Sequence, residues 1–365
     1  MGGGERPVRE YSAYVGTYEG GGRPSLFHVR CDARTGRLRL RGAVSDVVHP
    51  SFLALHPRGG HLYAASEAPG GPDGEVCAFA LDPRTGDPTF LHRRPAHGRS
   101  TCHVSVDADG RVLVAANYGS PTIVLYRLGE DGGLAAAAVV MRHDGHSVHP
   151  RQREPHPHSA NVDPSGRFVY CPDLGTDRIM IYRLDRTAGT LAANDPPWVG
   201  TAPGAGPRHL AFHPALDAAY AVNEIDSTVA AYARDADSGA LRPLQVASTL
   251  PAGFRDGNSC ADVHVHPSGR FVYASNRGHD SIAVFRVDPA SGRLEPAGHA
   301  ATGGRTPRNF ALDPAGRFLF AENQDSGSIV TFAVDPATGV LEPTGDRLEL
   351  PTPVCLRFGR AWTAA

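Results

Sequence analysis

Several ionisable and polar side chains of this sequence could perform chemistry on an anionic substrate. They are His103, His158, Arg208, His209, Glu224, Asp262, His264, Arg277, Arg308, Asn309 and Gln324. Arginine binds phosphate and carboxylate groups through paired N–H donors, and Glu or His can transfer protons when neighbouring charges tune their pKa values. The set therefore favours a reaction that combines anion binding with proton transfer.

Composition narrows the possible functions further. The chain has 365 residues and a formal net charge of −2, and all of its 36 basic residues are Arg. A near-neutral charge argues against non-specific binding of nucleic acid or anionic membranes, because both need a basic surface. The lack of Lys excludes Schiff-base chemistry and a P-loop phosphate clamp, so any anion must be held by Arg, His, polar groups or the backbone.

The sequence also bears on location and redox state. No apolar run approaches the roughly 18–20 residues of a membrane-spanning helix, and Met1–Tyr11 contains no apolar run typical of a signal peptide. The six Cys are dispersed and form no CxxC pair, which favours small buried residues in a reducing compartment over a disulfide framework. We therefore expect a cytoplasmic protein that is a monomer or a weak homodimer.

Internal repeats predict the elements that position the candidate residues. A short turn motif, in which an acidic or turn residue is followed by Gly and usually Leu, occurs seven times. Its glycines are Gly36, Gly86, Gly132, Gly189, Gly239, Gly292 and Gly339. In six segments, such as Val263-His-Val-His-Pro, apolar residues occupy alternate positions up to a turn. Each turn is followed by a second, apolar segment that ends in a polar residue. The offset from the His or Asp of the turn to that polar residue is always 10, which indicates equivalent hairpins in one register.

Two further runs complete each repeat and give four antiparallel strands, as in the blade of a β-propeller. The strand missing before Tyr11–Val15 is found near the C-terminus, at Pro353–Phe358. The sequence thus predicts an all-β fold: one seven-bladed β-propeller over residues 11–360, with the ring closed by the C-terminal strand in the N-terminal blade. Residues 1–10 are expected to be a flexible segment.

Hairpin register then locates the candidate site. In each inner hairpin the start of the first strand lies beside the end of the second, so all seven starts and ends should meet at one mouth of the central channel. The candidate residues fall at or near these positions, where the blade sequences differ most. We expect seven of them to contact the substrate: His103, His209, Asp262, His264, Arg308, Asn309 and Gln324. The recurring Asn117, Asn223, Asn276 and Asn323 are interpreted as structural, as are His56, His213 and His266 of the opposite turns.

The segment 142–158 contains five of the 18 His. It lacks the helical spacing and supporting carboxylates of a metal site. We interpret it as a long loop over the channel mouth that contributes His156 and His158 and acts partly as a lid. No metal or other cofactor is expected.

Several motifs resemble those of a known family. Gly204-Ala-Gly-Pro-Arg-His-Leu-Ala-Phe-His-Pro214 followed by Ala221-Val-Asn-Glu224 strongly resembles the lactonase family of seven-bladed propellers, as do Pro155–Asn161 and Ser275–Arg277. The family comprises propeller-type 6-phosphogluconolactonases and 3-carboxy-cis,cis-muconate lactonizing enzymes. The resemblance implies an active site of His158, Arg208, Glu224 and Arg277. This chain has Arg308-Asn309 where the family pattern has Arg-Gly.

The resemblance implies hydrolysis of a sugar lactone, 6-phospho-glucono-δ-lactone to 6-phosphogluconate, without a metal. Arg208 and Arg277 would hold the phosphate or the developing oxyanion, with help from Arg308. Glu224 or His158 would activate water, and the other would protonate the leaving alkoxide. A lactonizing cycloisomerase, a calcium-dependent lactonase and a propeller that only binds partners remain as alternatives.

Overall fold

The computed structural model describes residues 8–67 and 73–363, which form twenty-eight β-strands in seven four-stranded antiparallel sheets and contain no helix. The described part of the chain accordingly offers no helix that could span a membrane. The sheets are the predicted blades. The prediction of an all-β, seven-bladed propeller is confirmed.

Each blade is numbered from the N-terminus, and its strands are given from the channel outwards. Blade 1 consists of β28 (Pro353–Thr363), β1 (Val8–Thr17), β2 (Leu26–Asp32) and β3 (Leu38–Val44). Blade 2 consists of β4 (Pro50–Leu55), β5 (His61–Ser66), β6 (Glu75–Leu81) and β7 (Pro88–Pro95). Blade 3 consists of β8 (Thr101–Val106), β9 (Val112–Asn117), β10 (Thr122–Leu128) and β11 (Leu134–Arg142). Blade 4 consists of β12 (Asn161–Val162), β13 (Phe168–Asp173), β14 (Arg178–Asp185) and β15 (Thr190–Gly200). Blade 5 consists of β16 (Pro207–Phe212), β17 (Ala218–Asn223), β18 (Thr228–Arg234) and β19 (Leu241–Ser248). Blade 6 consists of β20 (Ser259–Val265), β21 (Phe271–Arg277), β22 (Ser281–Val287) and β23 (Leu294–Ala301). Blade 7 consists of β24 (Pro307–Leu312), β25 (Phe318–Asn323), β26 (Ser328–Val334) and β27 (Leu341–Glu349).

Closure of the ring follows the prediction. Strand β28 pairs antiparallel with β1, from Val8 opposite Thr363 to Thr17 opposite Pro353. The strands therefore extend three residues beyond the predicted bounds of 11 and 360 at both ends, because each terminal strand supplies hydrogen-bond partners to the other. Residues 1–7 of the segment predicted to be flexible lie outside the described residues.

The inner hairpins also have the predicted register. Thr101 lies opposite Asn117, Pro207 opposite Asn223 and Pro307 opposite Asn323, so strand starts and ends meet at one mouth of the channel. Blade 4 differs, because its first strand β12 has only two residues. Its partner strand contains Pro172, which accepts a hydrogen bond from the His158 N–H but has no N–H to return.

The core lies between neighbouring blades. All six residues of the second strands β9, β13, β17 and β25 are buried, because both faces of these strands pack against adjacent sheets. The outer strand β7 alternates between more and less exposed residues, and all but the first residue of both outer strands β7 and β27 remain at least partly exposed. The six Cys are free thiols and all are buried, as expected.

The repeated turn motif joins each blade to its neighbour. Tyr hydroxyls donate to the carbonyl of the turn glycine in the following blade, for example Tyr170 to Gly239 at 2.7 Å and Tyr273 to Gly339 at 2.9 Å. At the same end of the channel, His213 Nε2 lies 2.9 Å from the Gly269 carbonyl. These contacts account for the repetition of sequence at the end of the molecule opposite the candidate site.

Candidate active site

Glu224 directly follows β17 and is the centre of the candidate site. Its carboxylate is buried and touches three guanidinium groups. Arg208 Nε and Arg277 Nη2 lie 2.9 and 2.8 Å from Oε2, and Arg151 Nη2 lies 2.5 Å from Oε1. The side chains of Glu224 and Arg208 are only 5% and 2% exposed, whereas that of Arg151 is 43% exposed. Two of the three ion pairs are therefore shielded from solvent.

The three arginines determine the protonation state of Glu224. Burial alone would raise the pKa of the carboxyl, but Arg277, Arg208 and Arg151 outweigh that effect and lower the pKa to about 2. In the same environment, burial and the positive charges of Arg277 and Arg308 lower the pKa of Arg208 to about 10. Glu224 is consequently an anion throughout the physiological pH range, and at neutral pH it is a weak base.

The inner strands position Arg208 and Arg277. Arg208 lies in β16 and its Nη1 donates to the Ala261 carbonyl, while Arg277 ends β21 and its Nη2 donates to the Cys260 carbonyl at 2.8 Å. Although both groups approach Glu224 closely, neither Nε–H has a well-aligned acceptor among the described residues. Two buried N–H donors are thus left without a directed hydrogen bond inside the site, and such donors cost free energy unless a ligand or water accepts from them.

Arg308, near the start of β24, adds a fourth positive charge. Its guanidinium carbon lies 5.1 Å from the centre of the Tyr18 ring, and Tyr18 in turn donates to Glu67 at 2.8 Å. No described residue forms a hydrogen bond or an ion pair with the Arg308 guanidinium. Burial would lower the pKa of Arg308, but Tyr18, Glu67 and Glu224 raise it above its ordinary value. This partly open cation is available to an incoming anion.

His158 supplies an uncharged imidazole next to these cations. Burial, Arg208, His209 and Arg308 hold its pKa well below the ordinary value of histidine. The Nδ1 atom lies 3.8 Å from Cys102 Sγ, whereas Nε2 has no hydrogen-bond partner among the described residues. A neutral imidazole with a free ring nitrogen can accept a proton from water.

A second polar cluster lies next to Arg208, around Asp262. The Asp262 carboxylate contacts His209 Nδ1 at 2.7 Å and His264 Nε2 at 2.9 Å, and it accepts a hydrogen bond from the Asn309 side chain. His103 packs its ring against Phe52, with centroids 4.1 Å apart. These residues share the central channel with Glu224 but do not touch its carboxylate.

The long loop between β11 and β12 brings Arg151 to the site. Its next residue, Gln152, is fully buried and donates to the Leu174 carbonyl and to Asp177, which also accepts from Ser147 at 2.5 Å. Further along the loop, His156 stacks on Tyr118 with centroids 4.6 Å apart. These contacts fix the loop to the blades, so the structure gives no support for the predicted lid character.

The histidine side chains of this loop do not converge on a common site. His143 pairs with Asp173 at 2.6 Å, and His156 Nδ1 contacts the Tyr118 carbonyl at 2.7 Å. Across the described ranges, no group of three or more His, Cys, Asp or Glu side chains has the arrangement to hold a metal ion.

The structure brings together most of the residues selected from sequence. Glu224, Arg208 and Arg277 are in direct contact, and His158 and Arg308 lie close enough for Arg208 and Glu224 to shift their pKa values. Gln324 differs, since its amide donates to Asp325 at 3.0 Å on the exposed rim. Its expected role as a substrate contact receives no support from this position.

Sequence analysis missed Arg151 and gave no role to Tyr18 or Glu67. Arg151 lies in an insertion that repeats nowhere else in the chain, so no blade equivalent revealed its position. The unusual spacing of 57 residues between Gly132 and Gly189 was the available signal that this blade carries an added segment. It could not show which of the three Arg in 142–153 points towards Glu224.

Comparisons with known proteins agree with this architecture. A family model described as lactonase, seven-bladed β-propeller, matches residues 12–358. The chain is 36% identical to the 6-phosphogluconolactonase of Bacillus subtilis over 351 residues, covering 96% of this chain and 99% of that protein. It is also 33% identical to a 6-phosphogluconolactonase of Formosa agariphila, with 77% and 80% of the two chains covered.

A solved structure supports the same relationship. The periplasmic gluconolactonase of Pseudomonas aeruginosa superposes with a TM-score of 0.90 at 33% identity, over 97% of this chain and 100% of that one. Fold, sequence and the extent of the match agree. This chain therefore belongs to the lactonase family of seven-bladed β-propellers.

Proposed function

We propose that this protein is a lactone hydrolase that converts 6-phospho-glucono-δ-lactone to 6-phosphogluconate. The observation that carries the proposal is an Arg308 guanidinium that is unpaired among the described residues and lies at the same channel mouth as a neutral His158 and an ionised Glu224. The cations supply an anion site, and the imidazole supplies a base. The names of the Bacillus and Pseudomonas relatives support a sugar lactone as the substrate class.

The chemistry can be assigned to individual groups. His158 Nε2 removes a proton from water as its oxygen attacks the lactone carbonyl, and the positive charges of Arg208 and Arg277 stabilise the resulting oxyanion. When the ring C–O bond breaks, the leaving alkoxide takes the proton from the His158 imidazolium. Water is thereby added across the ester bond, and His158 returns to its neutral form.

Glu224 has a different role from either one considered in the sequence analysis. With a pKa of about 2 it holds almost no proton to donate at neutral pH and competes poorly for one. We assign Glu224 the role of offsetting the positive charges of Arg208, Arg277 and Arg151 and of holding their guanidinium groups in place. The substrate phosphate would lie against Arg308 and the solvent-facing side of Arg151, because these two guanidinium groups have N–H donors without an acceptor in the described part of the chain.

The test measures turnover of the phosphorylated lactone and of glucono-δ-lactone by the purified protein. His158→Gln should lower kcat on both substrates by about 100-fold or more, because a general base is lost. Arg308→Gln should raise KM by about 10-fold or more for the phosphorylated lactone only, because a charged hydrogen bond contributes roughly 1.5–3 kcal/mol. Exposed Arg305→Gln, three residues away, is the matched control and should behave as wild type.

The pH profile gives a further check on His158. Its depressed pKa predicts that kcat/KM stays constant from about pH 8 to below the ordinary histidine range near 6.5 and falls only in more acidic solution. Absence of turnover with either lactone would contradict the hydrolase assignment. Cyclisation of 3-carboxymuconate, followed by ultraviolet absorbance, would instead support the lactonizing alternative.

Cellular context follows from the same proposal. Hydrolysis of this lactone belongs to the pentose phosphate pathway, and we propose that the protein acts in the cytoplasm as a monomer or weak homodimer with a small anionic substrate as its partner. Because one solved relative is described as periplasmic, cell fractionation with an antibody to the protein is the direct test of location.

A further inference from the structure

We propose that Asp262 and His209 act as a positioning pair that orients Arg208 for the reaction, and that they are not the substrate contacts expected from sequence. The inference rests on the proposed function. It is carried by a continuous, buried chain of polar contacts from Asp262 through His209 and Arg208 to Glu224.

The contacts determine which nitrogen of His209 carries the proton. Arg208 Nη1 lies 3.2 Å from His209 Nε2, and a guanidinium nitrogen can only donate. Nε2 must therefore accept, which leaves the proton on Nδ1, 2.7 Å from Asp262 Oδ1. Burial and Arg208 lower the pKa of His209 to about 4, so this neutral tautomer is the form present at physiological pH.

Asp262 is itself firmly held. Its Oδ2 contacts His264 Nε2 at 2.9 Å and accepts from the Asn309 amide, while Oδ1 accepts from the Val263 N–H at 3.0 Å. The Asp262 carboxylate and the Arg208 guanidinium both favour the Nδ1-protonated ring of His209, whose Nε2 then provides an acceptor for Arg208. Together with the Ala261 carbonyl, His209 gives Nη1 two acceptors, which turns the Nε edge of the guanidinium towards Glu224.

The chemical identity of Asp262 argues for a role beyond filling space. The corresponding positions at the start of the inner strands in the other blades hold Phe52, His103, Ser159, His209, Asn309 and Cys355. Asp262 is the one carboxylate of this set, although a buried carboxylate is costly unless it is well paired. An apolar residue fills the same position in blade 2, so packing alone does not require an acid here.

Four variants and two readouts test the proposal. Asp262→Asn should lower kcat for the phosphorylated lactone by about 100-fold, the effect of misplacing a catalytic group by about 1 Å, with KM changed less than about 3-fold. His209→Leu should behave in the same way. His209→Gln should retain kcat within about 10-fold, because a Gln side-chain oxygen can accept from Arg208 near the position of Nε2.

His213→Leu is the matched control. His213 directly follows β16, the strand that contains His209, but it lies at the opposite end of the channel, where it contacts the Gly269 carbonyl. We expect a lower thermal midpoint with unchanged kcat and KM. Equal activity of His209→Leu and wild type would overturn the proposal, and so would a loss confined to KM, which would restore the substrate-contact role.

The second readout does not depend on turnover. The ¹⁵N NMR shifts of His209, assigned by comparison with His209→Gln, should show an Nδ1-protonated neutral ring in wild type and a mixture of tautomers in Asp262→Asn. An Nε2-protonated ring in wild type would overturn the positioning pair. A wild type without lactonase activity would instead contradict the proposed function, and the NMR result would still decide the pair.

Discussion

At the scale of single residues, Glu224 shows how one carboxylate depends on arginines from distant parts of the chain. Arg208 and Glu224 belong to the same hairpin, and their proximity could be inferred from register. Arg277 comes from the next blade, and the regular repeat placed it at the same mouth. Arg151 arrives through a loop, and its contact with Glu224 depends on how Gln152 and Asp177 anchor that loop.

Arg151 leads to a prediction about substrate choice. Arg151→Gln should lower kcat/KM for the phosphorylated lactone by about 10-fold or more and should have a smaller effect on glucono-δ-lactone. The Arg151 side chain is 43% exposed, so solvent screens part of its pair with Glu224, and its remaining N–H donors can bind a phosphate in paired geometry. Comparison of kcat/KM for the two lactones is the measurement.

Arg153→Gln is the matched control for this prediction. Arg153 is exposed on the same loop, and it forms no hydrogen bond or ion pair with another described residue, so its loss should leave both rates unchanged. An equal loss for both lactones in Arg151→Gln would show that Arg151 supports Glu224 and does not recognise phosphate.

At the scale of elements, the structure around the turn glycines explains why the seven turn motifs all keep a Gly at the same position. Gly339 has φ of +76°, and a Cβ placed on it would lie 2.5 Å from the Phe271 ring of the preceding blade. Its carbonyl also accepts from Tyr273 at 2.9 Å. The turn must therefore provide both a left-handed residue and room for a neighbour, and glycine meets both needs.

Gly339→Ala should consequently destabilise the protein by about 2–4 kcal/mol, from left-handed backbone strain and overpacking together. Gly345→Ala separates the two effects, because Gly345 has φ of +85° but no atom within 4 Å of an added Cβ. Urea unfolding should show a loss of only about 1–2 kcal/mol for that variant. Equal losses in the two variants would show that the Phe271 contact contributes nothing.

At the scale of the whole molecule, the interface that closes the ring contains an unusual buried acid. Glu322 of β25 is fully buried, and neither of its carboxyl oxygens has a hydrogen-bond partner among the described residues. Its charged and titratable neighbours include Arg357 and Cys355 of β28, together with Asp262. Burial raises the pKa of Glu322 well above its ordinary value, against the opposing effect of Arg357.

This arrangement makes the stability of the ring depend on pH. Folded protein retains the Glu322 proton above pH 4.3, the ordinary glutamate pKa, whereas the unfolded chain releases it. Stability should therefore fall as pH rises between the two pKa values, with a contribution of about 1.4 kcal/mol per pH unit. Glu322→Gln should raise the thermal midpoint at pH 8 and leave it nearly unchanged at pH 4.

Thermal unfolding of wild type and Glu322→Gln from pH 4 to 8 measures this effect. Glu295→Gln is a suitable control, since Glu295 is exposed in β23. Parallel pH curves for Glu322→Gln and wild type would contradict the prediction.

The sequence by itself determined the number of blades, the hairpin register, the closing strand and the mouth at which Glu224, Arg208, Arg277, Arg308 and His158 meet. It could do so because these features repeat along the chain. They depend on which residues form the local turns and on the two-residue period of side chains in strands, and both can be read from the sequence. Tertiary structure alone decided which groups touch. It gave the Arg308 guanidinium no hydrogen bond or ion pair within residues 8–67 and 73–363. It also placed Arg151 against Glu224 and grouped His209, Asn309 and His264 around Asp262. Those contacts join residues from different blades or from a non-repeating loop, and their energies depend on burial and on charges that no local pattern contains.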